Sequence, residues 1–193
     1  VFKKIKFKIM AFAIALLWTV PVFAQGAVPG QFMVPLGSCQ LSATQLGSAI
    51  GLASCVRASF TGSGSGTALT TSSVTGIIKI GDTVSGSGVT SSTTIVSQTS
   101  GTTGGAGIYV TSQATTSSTA SLSSGGIPFG ANMVVLQAET ANVRYRDDGA
   151  APTAAAGSIV VSGLNPMLYT GTLSALQFIA ATGSPLLDVA FYR

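Results

Sequence analysis

Two groups of residues in this chain of 193 have the types and spacing to do chemistry. One is the cysteine pair Cys39 and Cys55. The other is the charged run Arg144, Arg146, Asp147 and Asp148, with Glu139 a few residues upstream. There is no histidine, so His-based triads and His-containing zinc sites are excluded, and the commonest general base is missing. A catalytic thiol would need a base partner that histidine cannot supply here. Two cysteines are too few for a four-thiolate metal site. In an exported chain the pair can oxidise, and a disulfide closing a loop of this size would contribute about 3 kcal/mol. A Cys39–Cys55 disulfide is the favoured expectation, with two unpaired buried thiols as the alternative.

The charged run admits two readings. As a functional site, Arg144 and Arg146 lie on one face of a strand and would contact an anion or a receptor. As a structural set, the arginines pair with Glu139 or Asp188 while Asp147 and Asp148 shape a turn. The structural reading is favoured, because a chain with 9 Lys+Arg and 5 Asp+Glu offers an arginine few other partners. Calcium would take six to eight oxygens, and no further acidic cluster stands near the Asp pair. Glu139 is the only glutamate, so paired carboxylates for glycoside cleavage have no support. Gly101–Gly107 lacks the lysine and the strand-to-helix setting of a phosphate loop. No enzyme class, cofactor or metal is therefore expected.

Four of the nine basic residues are Lys3, Lys4, Lys6 and Lys8. Beyond them positive and negative charges balance, so nucleic acid is not an expected partner. The lysines precede an apolar run, Ile9–Val20, then Pro21 and the small-residue site Val22-Phe23-Ala24. This is the layout of a secretory signal peptide over residues 1–24. The run is short for a membrane span, so membrane contact is expected only through this segment if it is uncleaved. The expected location is exported, periplasmic or extracellular, or on a virion surface.

The elements that must position the cysteines and charges divide by composition. In the stretch 61–126, 45 of the 66 residues are Ser, Thr or Gly, and Lys79 and Asp82 are its only charges. Such low complexity invites a disordered reading, but disordered segments are usually charged and poor in β-branched residues. Here Gly76–Ile80, Thr93–Ser97 and Gly107–Thr111 read as strands between Gly-rich turns. The expected core of this module is Val74, Ile78, Ile80, Val84, Ile95, Ile108 and Val110. Upstream, Ser42 and Gln45 fit a capping box. It opens a helix of about two turns with Leu46, Ala49 and Ile50 on its apolar face.

Downstream, Asn132–Glu139, Asn142–Arg146, Ser158–Ser162, Leu168–Thr172, Ala175–Ala180 and Leu186–Tyr192 read as strands. In Asn142–Arg146, Val143 and Tyr145 alternate with the polar residues. The fold class is all-β: a β-sandwich or jelly-roll-like domain with one short helix. That domain is discontinuous, over 25–56 and 125–193, and residues 57–124 form an inserted Ser/Thr/Gly-rich β module.

Several short motifs occur in order in the C-terminal third: Gly126–Asn132, Leu136–Glu139, Val143–Gly149, Ala151–Thr153, Tyr169, Leu176–Ile179 and Leu187–Arg193. Together with 32–55 they resemble a small all-β protein widespread in tailed-phage genomes and viral metagenomes. The middle stretch resembles a separate β module of phage structural and fibre proteins. What the resemblance implies is a non-enzymatic virion or virion-associated protein with no catalytic residues. Its expected partners are other virion or surface proteins, glycans where it serves adhesion, and further copies of itself. The alternative is a secreted carbohydrate-binding or adhesin domain. A row of exposed tyrosines would favour sugar binding, and a flat apolar patch would favour assembly.

Overall fold

The computed structural model describes residues 33–193, and the signal-like segment lies outside them. The fold is all-β, with thirteen strands and three single-turn 3-10 helices among the described residues. The strands are β1 (Pro35–Leu41), β2 (Ile50–Gly51), β3 (Val56–Gly76), β4 (Thr83–Gly86), β5 (Ile95–Gly101), β6 (Gly107–Thr115) and β7 (Ala120–Gly125). They continue with β8 (Met133–Glu139), β9 (Val143–Arg146), β10 (Ser158–Val160), β11 (Met167–Tyr169), β12 (Gln177–Ala180) and β13 (Leu186–Tyr192). No helix among the described residues is long and apolar enough to cross a membrane.

Eight strands make a sandwich. One sheet runs β1-β13-β8-β11 and the other β10-β9-β12-β2. Alternation decides which side chains enter the space between them. On β13, Leu187, Val189 and Phe191 are buried while Leu186, Asp188, Ala190 and Tyr192 are only half-buried. Val134, Leu136 and Ala138 of β8 face the same core, joined from the other sheet by Val143, Val160 and Phe178. Gln137 and Glu139 fall on the outer face, alternating with Leu136 and Ala138.

The remaining strands form a second sheet system, in the order β4-β7-β3-β6-β5. Twenty-one residues of straight strand would span roughly 70 Å, too long for so small a unit, and β3 turns back at Gly66 (φ +62°). Its first half pairs with β7 and its second with β6. Gly76 returns beside the start of the strand, where a Cβ would collide with the Arg57 carbonyl oxygen. The two edges of this sheet also meet: the Val84 amide donates to Thr93 O (2.8 Å) and the Ile95 amide to Asp82 O (2.9 Å). The sheet closes on itself and leaves little exposed edge, which protects it from pairing with other chains.

Its core differs from the expected one. Ala58, Phe60, Leu69, Ile78, Val84, Ile95, Tyr109 and Leu122 are buried, whereas Ile80 and Ile108 are exposed. Strand β6 presents the opposite face to the core from the one its isoleucine and valine predict. Tyr109 points inward because its hydroxyl reaches Gly105 O at 2.7 Å, which satisfies the phenol and buries the larger ring. Gly76–Ile80 is also not the predicted strand beyond Gly76. Asp82 accepts the Lys79 amide (3.0 Å), the Asp82 amide donates to Lys79 O (3.1 Å), and Gly81 takes φ +88°, so the chain turns there instead of extending.

The predicted two-turn helix is a single 3-10 turn, Gln45–Gly47. Gln45 does reach back to the Ser42 amide (2.9 Å), as a capping box requires. The chain leaves helical geometry at Ser48, and β2 at Ile50 then pairs with β12. So short a turn is held by packing, through the buried Leu46.

Between the two sheet systems lies a charged junction that the sequence pattern did not reveal. The Arg57 guanidinium pairs with the Asp82 carboxylate, with side chains only 4% and 1% exposed. Arg57 also donates to Gly126 O, and Asp82 accepts from the Ser124 hydroxyl at 3.3 Å. The Lys79 ammonium donates to Leu36 O on β1 (2.7 Å). A Cβ at Gly37 would stand 3.3 Å from both Arg57 Cδ and Lys79 Nζ, so the glycine gives both cations room. Cys39 and Cys55 form a disulfide beside this junction, with their Cα atoms 5.7 Å apart.

The two cores share no residue: the sandwich core draws on nothing between Arg57 and Ser124, and the other core draws on nothing outside that stretch. Val56 and Gly125 face each other as cross-strand partners. Joining Val56 directly to Gly125 is therefore expected to leave a soluble protein with its disulfide intact, unfolding in one cooperative transition. Urea denaturation followed by circular dichroism, with thiol titration, checks this; an aggregated product would show that the sandwich needs the second sheet. In the full chain, Arg57→Ala strands the Asp82 charge in a buried site and is expected to cost about 3–5 kcal/mol, measured by the same denaturation.

Candidate interaction surfaces

The charged run is brought together only in part. Arg146 pairs with Asp148 in a bidentate contact, with Nε–Oδ1 at 3.0 Å, and Asp148 also accepts the Ala150 amide at 3.0 Å. The pair is solvent-exposed, so it fixes the turn at Gly149 (φ +80°) and adds little stability. Hydrogen bonds from Arg146 and the Ala150 amide lower the Asp148 pKa to about 2. Arg144 finds no carboxylate. Its Nε donates to Ala154 O and its Nη1 to Gly157 O, both at 2.8 Å, which pins the loop before β10.

Glu139 stands apart from the arginines, across from Leu186 and diagonal to Asp188. Hydrogen bonding to Asp188, reinforced by that neighbour's negative charge, raises the Glu139 pKa. The expected pairing of Glu139 or Asp188 with an arginine is thus not formed, because register sets both acids on the outer face of the β8–β13 ladder. Among the described residues no group of acids, cysteines or histidines could hold a metal ion.

The tyrosines form no exposed row. Tyr109 is fully buried, and Tyr145, Tyr169 and Tyr192 are half-buried. Desolvation is the largest cause raising the pKa of Tyr169, ahead of the negative charge of Asp147.

Several large apolar side chains face solvent among the described residues. Phe129 is 91% exposed, Ile80 68% and Ile77 59%. Phe129 is held out by a tight turn in which the Ala131 amide donates to Pro128 O (3.1 Å) and Gly130 takes φ +80°, the geometry of a type II turn with Phe129 at its tip. A Cβ at Gly81 would lie 3.3 Å from the Phe129 Cβ, so Phe129 stands beside the turn that follows Ile80. Ile77 and Ile80 rim a groove of about 660 Å3 whose far wall is Gln98–Gly101. Gln98 rigidifies that wall: its amide donates to Ser100 O (3.1 Å) and Thr102 O (2.7 Å) and accepts from the Gly104 amide (3.0 Å).

Sequence reasoning missed this surface by reading Ile80 as core and Gly76–Ile80 as strand. The available signal was Gly81-Asp82, a turn pair directly after Ile80. No family model matches the chain, and the curated proteins and solved structures compared with it include no match.

Asp148 should titrate with a midpoint near 2 in the folded protein, below the ordinary 3.8. A depressed folded value means that the stabilisation by this carboxylate is complete above the ordinary pKa and is lost as the pH falls from there toward 2. Arg146→Ala is expected to raise the midpoint most of the way back toward the ordinary value, since the Ala150 amide remains. Carboxyl-detected NMR titration of both proteins checks this.

Proposed function

We propose that this protein is a non-enzymatic structural protein of the phage type, displayed on a particle or cell surface and docked there through the Phe129–Ile80–Ile77 rim. Phe129 carries the reading. A rigid turn holds this phenyl group almost wholly in water, where burying it against a partner would gain about 1.5–3 kcal/mol. Exposed apolar clusters of this kind mark protein–protein contact. The resemblance of the C-terminal motifs to a phage structural protein points the same way. Export agrees with the disulfide and with the absence of a membrane-crossing helix among the described residues. The remainder of the closed Ser/Thr/Gly-rich sheet, away from Ile77 and Ile80, serves as the polar, outward-facing part. An adhesin built on stacked sugar rings is the weaker reading, because no tyrosine is presented as a platform.

The test is a Phe129→Ser, Ile80→Ser double variant of the full chain. It is expected to match the parent in circular dichroism and melting, since neither side chain is buried. It is also expected to lose at least ten-fold of the parent's incorporation into particles, or retention on the producing cell, measured by quantitative immunoblot of purified particles and washed cells. Undiminished attachment would remove the rim from the proposal.

A further inference from the structure

The outer face of the β1–β13–β8 sheet carries a second concavity, remote in chemistry from the apolar rim. Gln40, Asp188 and Gln137 stand directly opposite one another on three adjacent strands, forming one polar row across the sheet. The next row is Ser38, Ala190 and Val135. These six residues line a shallow groove of about 520 Å3, within the size range of small-ligand sites. Small side chains in the second row make its floor, and the amides and carboxylate in the first row make its wall.

The wall has unused hydrogen-bonding capacity. Gln40 Nε2 donates to Asp188 Oδ1 at 2.8 Å, which orients the carboxylate and leaves the Gln40 carbonyl as a free acceptor. Among the described residues, the Gln137 amide and the Ser38 hydroxyl make no side-chain hydrogen bond. The groove therefore offers donors and acceptors side by side, without a cation. Nucleic acid would be repelled by Asp188 and the diagonal Glu139. An apolar protein face would leave these polar groups without partners. A calcium ion takes six to eight oxygens, and with Asp188 Oδ1 already held by Gln40 the two carboxylates and two amides offer fewer than that. A neutral, polyhydroxylated ligand matches, since each hydroxyl both donates and accepts.

We propose that this groove is a glycan-binding site, recognising sugar hydroxyls by hydrogen bonding through Gln40, Gln137 and Asp188 and not by ring stacking. Without a stacking platform, one site holds its ligand weakly, with a dissociation constant on the order of 1 mM. Display in many copies, as the proposed function has it, converts weak sites into firm attachment by multivalency. Only that amplification rests on the display reading; the site itself does not.

The experiment uses the full exported chain, biotinylated and presented on tetrameric streptavidin, over a printed array of bacterial surface polysaccharides. Retention on at least one polysaccharide is expected. It should fall at least ten-fold in an Asp188→Ala, Gln137→Ala double variant and survive in the Phe129→Ser, Ile80→Ser variant. Two-dimensional NMR of the monomer with a soluble oligosaccharide from the retained polymer should move the side-chain amide signals of Gln40 and Gln137. Retention on no polysaccharide, or equal retention by the groove variant, overturns the proposal. So does retention abolished by EDTA, which would make the acids a cation bridge. Loss of attachment by the rim variant alone would bear on the display reading and leave the groove in place.

Discussion

The Arg57–Asp82 pair is the constraint around which the molecule is arranged. Buried charges are tolerated only when paired and hydrogen-bonded, and this pair gathers its partners from separate parts of the chain. Arg57 opens β3 and reaches Gly126, just past the end of β7. Asp82 collects the Lys79 amide and the Ser124 hydroxyl. The entry to the second sheet, its exit and its main loop are thus tied at one point. The disulfide and the Lys79–Leu36 bond fix the same point to β1. The chain can carry a long excursion between Cys55 and Gly125 because both ends of that excursion are anchored within one polar cluster.

The same cluster accounts for the exposed rim. Because Asp82 binds the Lys79 amide, residues 77–81 must turn, and a turn cannot bury side chains on one face as a strand does. Ile78 goes inward while Ile77 and Ile80 go outward. Gly81 then leaves space for Phe129 alongside. A buried electrostatic requirement therefore places apolar groups in water, at a cost that evolution tolerates most readily where the surface has something to bind.

The two faces differ in chemistry. The rim is apolar. The β1–β13–β8 face carries a row of amides and a carboxylate beside a row of small and apolar side chains.

By itself the sequence indicated the all-β class, favoured the Cys39–Cys55 disulfide over two free thiols, and directed Val143 inward. These depend on local alternation and on counting, which one strand reveals without its neighbours. Gln45 likewise signalled its reach to Ser42, though not how soon the turn would end. Tertiary structure alone decided the face of β6, the exposure of Ile80, the partners of Arg144 and Glu139, and the Arg57–Asp82 junction. Residues 25 apart make that junction, and Gly105 decides the direction of Tyr109 by offering a carbonyl to its hydroxyl. Such choices turn on which polar group finds a partner once buried, and the partner exists only after the strands have paired.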